Sequence, residues 1–526
     1  MRTDKPQLNR RIATFRMSSV VAVTAAFLLA ISASALQAKT GAGTAPGSTA
    51  DHGRFEQLKK KFKSGPEVTR ACLECHTEAA KQVHATNHWT WEFENPKTGQ
   101  KLGKKHIVNN FCIGTPSNIA ACSSCHVGYG WKDASFDFTS EERVDCLVCH
   151  DTTGAYTKDP KRKKPNFGKV ARNVGPTSRA SCGSCHFKGG GGPAVKHGDL
   201  DPTLVEPDMF VDVHMDADGL NFTCATCHRT DQHAVAGSRY APTAADKHGI
   251  DVPGRTDGSR ASCRSCHGAE PHESDAKLND HTDTIACQTC HIPEYSRGDF
   301  ASKEWWDWST AGKTAPDNTP LSKADANGHE IYNSKKGDFI WRENVVPGYV
   351  WFNGTVEYTL LGEAVDPSGI VPINSFGGSA DDPDARIWPV KMMRGKQPYD
   401  KVSLSLAVPH TTGKDGYWKT FDWKPSLAKG MAAAGVPFSG EFGFVETTMH
   451  WPITHMVAPK EQALACEACH AAGGRLEGVE GVYIPGRDSL RLLDWAGWTI
   501  ALLTLLGVIG HGLLRVFFKF RKARPS

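Results

Sequence analysis

The sequence predicts a mainly α chain with long irregular loops, organised around bound prosthetic groups and followed by one C-terminal transmembrane helix. Three observations predict it. The pentapeptide Cys-x-x-Cys-His occurs eight times in 526 residues. Gly and Pro, at 51 and 30 residues, favour turns over long regular elements. Trp495 to Leu514 is an apolar run without Asp, Glu, Lys or Arg, long enough to cross a hydrocarbon core of about 30 Å as a helix.

The pentapeptides are Cys72, Cys75 and His76; Cys122, Cys125 and His126; Cys146, Cys149 and His150; Cys182, Cys185 and His186; Cys224, Cys227 and His228; Cys263, Cys266 and His267; Cys287, Cys290 and His291; and Cys466, Cys469 and His470. Two thiols one helical turn apart can capture the two vinyl groups of a haem while the adjacent His ligates its iron, so eight covalently attached haem c groups are expected. Structural zinc would need closed sets of four ligands and would not demand His after every second Cys. Disulfides between cysteines three apart are rare outside redox pairs.

The elements follow in order. Residues 1–38 place Arg10, Arg11 and Arg16 before the apolar run Val20 to Ile31 and the small residues Ala33, Ala35 and Ala38, the order of a cleavable export signal. Residues 39–70 are an N-terminal segment, with a Gly, Ala, Ser and Thr linker from Thr40 to Ala50. Residues 71–291 carry seven motifs, one per roughly 31 residues, which is too little chain for an ordinary side-chain core. The macrocycles must supply apolar surface there, with short helices at the motifs. Residues 292–489 are rich in Trp and end with the eighth motif, and read as a segment covering the haems. Residues 490–518 form the membrane helix. Lys519, Arg521, Lys522 and Arg524 lie in the tail 519–526, which the positive-inside rule places in the cytoplasm. The rest then stands on the periplasmic face of the bacterial inner membrane.

The formal charge is +4, but residues 1–38 contribute five basic and one acidic residue and the tail four basic ones. The exported part is therefore net acidic before haem propionates are added, and nothing in it suggests nucleic acid as a partner.

Fifteen His lie outside the motifs, and eight irons need at most eight further axial ligands. His88, His197, His214, His233, His272, His281 and His455 are the expected distal ligands, with His84, His106, His248 and His450 as further candidates; His52, His329, His410 and His511 complete the set. His84 and His88, one turn apart, offer one ligand between them. His281 and His455 stand just before motifs whose own His is already close, so they should serve other haems. Cys112 is the one Cys outside the motifs, a candidate reactive thiol in an exported protein. His511 inside the apolar run, with Arg515 one turn on, is a costly intramembrane ionisable residue and so a functional candidate. It could face a membrane cytochrome b or another quinol-oxidising subunit.

Together with the eight motifs, His88-Trp89-Thr90-Trp91, Val108-Asn109-Asn110-Phe111-Cys112, and Gly189 to Gly192 followed by Val195-Lys196-His197-Gly198-Asp199 resemble the octahaem tetrathionate reductase family of periplasmic cytochromes over roughly residues 70 to 470. The resemblance implies a multihaem cytochrome c fold, related to pentahaem nitrite reductase and hydroxylamine oxidoreductase. It also implies a catalytic second haem, on Cys122, Cys125 and His126, bound by Lys196 in place of a distal His, with Asn109 and Cys112 lining its pocket. Asp199 or Asp201 would supply an acidic neighbour. The expected function is reduction of a small anionic or nitrogenous substrate, whether tetrathionate, nitrite or hydroxylamine. The alternative is a non-catalytic conduit between a quinol-oxidising membrane partner and other periplasmic cytochromes.

Overall fold

A Cys-x-x-Cys-His segment needs only one helical turn to set its two thiols on one side, and the chain supplies little more at most motifs. In the computed structural model, which describes residues 50–109, 114–159, 162–189, 191–240, 261–488 and 490–522, the motif helices Leu147–His150, Cys224–Cys227, Arg264–His267, Cys287–His291 and Cys466–Cys469 are four or five residues long. The helix at the fourth motif is longer, Arg179–His186, and it starts in a capping box: Ser178 Oγ accepts from Ser181 N, and Ser181 Oγ accepts from Ser178 N. Between motifs the side chains form small clusters, one of Leu58, Phe62, Val68, Leu147 and Val170, another of Trp89, Trp91, Trp131, Phe136 and Val144.

Residues 292–489 overturn the expected fold class. About 30% of the structure is helical and 19% is strand, with a large mixed sheet, so it is not mainly α. Nine strands form that sheet: β1 (Ser302–Asp307), β2 (Ser322–Ala324), β3 (Glu330–Asn333), β4 (Gly337–Arg342), β5 (Gly348–Phe352), β6 (Val371–Pro372), β7 (Arg386–Asp400), β8 (Ser405–Leu406) and β9 (Phe442–Pro452). Their order is β6-β9-β7-β1-β4-β3-β2, with β5 and β8 also pairing with β7. The long β7 runs antiparallel to β9 from Val390↔Pro452 to Asp400↔Phe442, and parallel to β1. Local alternation specifies β9: Val445, Thr447, Met449 and Trp451 are buried, while Glu446 is exposed and Thr448 and His450 are half-buried.

The reason for the difference is that this segment has an apolar core of its own. Trp306, Trp308, Phe339, Phe352, Trp388, Val390, Met393, Val445, Met449 and Trp451 pack in one cluster, so the aromatic residues are not simply a lid over haem faces. A sheet also presents two faces, and its loops can support the haem region from one edge.

Lys303 on β1 is buried among these rings, its Nζ 3.2 Å from the Phe339 centroid, 4.2 Å from Trp306 and 4.7 Å from Trp341. Ring faces favour the cation, but burial outweighs them and pulls the amine down to about 6. An unfolded lysine titrates near 10.4. The folded state therefore binds fewer protons between these values, and stability rises with pH across that window: the penalty is full below pH 6 and absent above about 10. Lys303→Met is expected to melt at least as high as the parent at pH 7 and to lack this rise, which thermal unfolding of the holoprotein from pH 6 to 10 checks.

The last element among the described residues is a helix from Arg491 to Lys522, 32 residues, or about 48 Å at 1.5 Å per residue. Its apolar side chains, among them Leu492, Trp495, Trp498, Leu503, Val508 and Phe517, are exposed. The stretch Leu492–Arg521 is long and apolar enough to span a membrane. The proposed export signal lies outside the described residues.

Candidate functional site

An iron held between two imidazoles, with bonds of about 2 Å and each ring centroid about 1 Å beyond its ligating nitrogen, sets the two centroids roughly 6 Å apart. Seven motif histidines face another histidine at that separation. The pairs are His76 with His52 at 6.3 Å, His150 with His233 at 6.5 Å, His186 with His88 at 6.1 Å, His228 with His455 at 6.1 Å, His267 with His214 at 6.0 Å, His291 with His272 at 6.0 Å and His470 with His281 at 6.1 Å. Their interplanar angles run from 11° to 79°, so the spacing does not come from ring stacking.

The tautomers agree with this spacing. His150 Nδ1 donates to the Gly175 carbonyl at 2.9 Å, His228 Nδ1 to Ala236 at 2.9 Å, His470 Nδ1 to Pro485 at 3.0 Å, His281 Nδ1 to Lys277 at 2.6 Å, and His233 Nδ1 to Gln82 Oε1 at 2.8 Å. His455 Nδ1 lies 3.1 Å from the buried carboxylate of Asp199. An Nδ1 held in this way fixes the ring and leaves Nε2 as the ligand. The residues present at these seven motifs fit a haem with two His ligands.

Thiols of different motifs also approach one another. Cys72 lies beside Cys146, Cys125 beside Cys185, and Cys182 beside Cys224, while Cys290 is influenced by Cys466 and Cys469. The first motif therefore neighbours the third, the second the fourth, the fourth the fifth, and the seventh the eighth.

His52 was legible as a histidine but not as a distal partner. It stands well before the first motif, in a short turn capped by Asp51. His197, expected as a distal ligand, instead packs edge-on against Trp451 at 4.7 Å. His84 stacks on Trp89 at 4.4 Å, His106 meets Glu92 at 3.3 Å, and His450 packs beside Phe376 at 5.9 Å. His248 lies outside the described residues.

The second motif differs from the other seven. His126 is fully buried, its ring surrounded by Trp89, Trp91, Trp131, Phe136 and Phe138 at 4.8 to 5.9 Å. Its Nε2 donates to the Trp89 carbonyl at 2.7 Å, so this ring must turn before that nitrogen can face an iron. No other histidine among the described residues is paired with it as in the seven pairs above.

Lys196 lies within electrostatic reach of this motif. It is buried, and the thiols of Cys122 and Cys125 are among the groups that act on it electrostatically. Burial, followed by the charges of Arg239 and Lys104, holds its ammonium well below the usual lysine range, which favours the neutral amine that a metal needs. The backbone that delivers it turns through left-handed residues at Gly189, Gly191, Gly192 and Ala194. A Cβ on Gly189 would come within 2.9 Å of Lys196 Cδ, so glycine is needed there for close approach as well as for its φ of 50°.

The sheet fixes the other side of the loop. The Ala194 carbonyl accepts from Lys303 N and Ser302 Oγ, both at 3.2 Å, and the Val195 carbonyl accepts from the buried Lys391 Nζ at 3.3 Å. Lys391 also bonds Ser302 and pairs with Glu304 at 3.6 Å. Asp199 Oδ2 accepts from Thr454 N at 2.8 Å and His455 N at 3.0 Å, tying the same loop to the chain after β9. Asp201 caps the turn at Pro202–Val205. Neither carboxylate is among the groups acting most strongly on Lys196. Asn109 is buried; Cys112 lies outside the described residues. A cavity of about 510 Å³ near this motif is lined by Lys105, Thr115, Ile119, Trp131, Phe138 and Leu361, among others.

The comparisons with known proteins support a multihaem c-type cytochrome. The bacterial cytochrome c family matches residues 303–473. A solved octahaem cytochrome c from Shewanella oneidensis is 43% identical and superimposes with a TM-score of 0.72, covering 81% of this chain and 95% of that one. An uncharacterised protein of Archaeoglobus fulgidus is 23% identical over 35% of this chain and 81% of its own length. Cytochrome c-552 of Haemophilus ducreyi is 24% identical over 35% of this chain and 37% of its own length.

Proposed function

Because this chain belongs to the multihaem c-type cytochromes, the family of the octahaem cytochrome c from Shewanella oneidensis, we propose that it is an octahaem, membrane-anchored reductase of small oxidised sulfur or nitrogen compounds. The observation that carries the proposal is the buried Lys196 beside Cys122 and Cys125, at the motif whose His has no histidine opposite it among the described residues. A haem bound there supplies electrons one at a time and, beside a displaceable amine, a coordination position for substrate.

The remaining roles fall to side chains. Lys196 offers a neutral amine to the metal side and Asn109 a carboxamide at the pocket. The aromatic residues around His126 keep water from that face. Two electrons cleave the central S–S bond of tetrathionate to give two thiosulfates; nitrite and hydroxylamine are the other substrates of this reading.

The neighbouring thiols suggest the electron route. The eighth motif is nearest in sequence to the membrane helix and adjoins the seventh, and His291 of the seventh lies close to His267 and His214. At the other end the second motif adjoins the fourth. Electrons would enter from the inner membrane and leave at the second haem or pass to other periplasmic cytochromes. Viologen-driven turnover of the purified holoprotein with tetrathionate, nitrite and hydroxylamine tests the reading. Reduction of none of them leaves the conduit reading, which the seven histidine pairs favour.

We further propose that His511, in the membrane helix, faces a cytochrome b or other quinol-oxidising subunit, with Arg515 near a propionate or lipid phosphate. His511→Ala is expected to keep every covalent haem and to lose quinol-driven but not viologen-driven reduction. Unchanged quinol-driven activity in membranes counts against that partner.

A further inference from the structure

Arg239, half-buried, is the charge acting most strongly on Lys196, and the metal-binding roles above do not use it. Its guanidinium lies 4.8 Å from the ring of Tyr240 and 5.0 Å from the ring of Trp451. The same indole stands 5.7 Å from Lys196 Nζ, so one aromatic surface carries both basic groups. Nε and Nη2 of Arg239 are buried without a hydrogen-bond partner.

A guanidinium cannot shed its charge at any physiological pH. Leaving its buried donors unmet is costly unless something accepts from them. The strongest favourable influences on Arg239 come from the phenols of Tyr240 and Tyr358, not from a carboxylate. The charges acting most strongly on Lys196 are Arg239 and Lys104, both basic. The face of Lys196 therefore has fixed positive charge, two open guanidinium donors and aromatic walls.

We propose that Arg239 is the permanent cation of an anion subsite next to Lys196, and that it selects compact oxyanions presenting two oxygens on one side. Nitrite and the terminal sulfonate of tetrathionate have that shape; neutral hydroxylamine does not. The proposal rests on the reading of Lys196 as the marker of the catalytic haem, and it narrows the substrate class of that site. Nε–H and an Nη2–H lie on one edge of the guanidinium plane and can donate in parallel to two oxygens. Tyr240 and Trp451 hold that plane, and their rings keep competing water away. No bond is made or broken in this step: the oxyanion is bound and oriented.

The test uses the oxidised, fully haem-loaded protein and three probes, nitrite, tetrathionate and hydroxylamine, each titrated while the haem optical and paramagnetic resonance spectra are followed. The parent is expected to give a saturable, salt-sensitive response to both anions. Arg239→Gln should weaken that response at least about tenfold and leave the response to hydroxylamine unchanged, with Arg239→Lys in between. Haem content and melting temperature show whether each variant has folded.

Equal anion affinity in Arg239→Gln overturns the proposal, as does an equal loss for all three probes. It is also overturned if the parent responds to neither anion while Arg239→Gln only shifts a haem potential, because the acceptor is then a haem propionate. If Lys196→Leu changes no haem spectrum but anion affinity still follows Arg239, the lysine-ligated reading fails and the subsite stands.

Discussion

Lys196→Leu is expected to change the spectrum of one haem and leave the other seven as they were, with turnover reduced by three orders of magnitude or more on an order-of-magnitude scale. Leucine matches the buried volume and carries no nitrogen. The loop should survive, because its anchors are backbone carbonyls: Ala194 to Lys303 N and Ser302, and Val195 to Lys391. The substitution also removes a buried amine whose charged form is disfavoured there, so the fold should not lose stability through it. Electron paramagnetic resonance and magnetic circular dichroism of parent and variant, with haem content measured in both, read the result. Eight unaltered signals would show that the amine is not a ligand and would leave electron transfer as the function.

His455→Ala should have the second-largest effect, because one ring is asked to do two things. Its centroid lies 6.1 Å from that of His228, and its Nδ1 is held by the buried Asp199. Removing it should turn the fifth haem from low-spin to high-spin and move its potential by an amount on the order of 100 mV, since axial ligands are the main lever on haem potential. It also leaves the Asp199 carboxylate without one of its partners. That carboxylate is held down at about 2, with the hydrogen bond from His455 as the largest stabilising influence against burial, so the loop that carries Lys196 should loosen as well. The expected readout is a new high-spin signal together with a lower melting temperature. His329→Ala is the control: that ring pairs with Asp325 and Trp341 in the sheet region, and all haem signals should persist. If His455→Ala also leaves every signal low-spin, His455 is not the partner of His228.

These two residues show how differently the parts of the site were written in the chain. Haem attachment is a local code: two thiols and a histidine within five residues need one turn of helix and nothing from the rest of the protein. The distal partners are not local. His281 and His455 could be assigned to haems other than the next one, because chain geometry forbids the near choice, but only the folded chain shows that they meet His470 and His228. His52 and His197 had no signal beyond their residue type. The sheet was the larger miss. Alternation in Val445 to Trp451 and the many aromatic residues in 292–489 were legible, yet they read equally well as cover for haem faces, because apolar side chains pack against a macrocycle or against each other.

By itself, then, the sequence determined the kind of prosthetic group, the motifs that suit its attachment, and an apolar C-terminal helix long enough for a membrane, all of them properties of contiguous residues. Tertiary structure decided which histidine faces which, that Arg239 acts on Lys196, and that a nine-stranded sheet holds the glycine-rich loop in place. The physical reason is that ligand pairs, buried charges and a sheet register depend on distances between segments far apart in the chain, and those distances are set only when the whole chain packs.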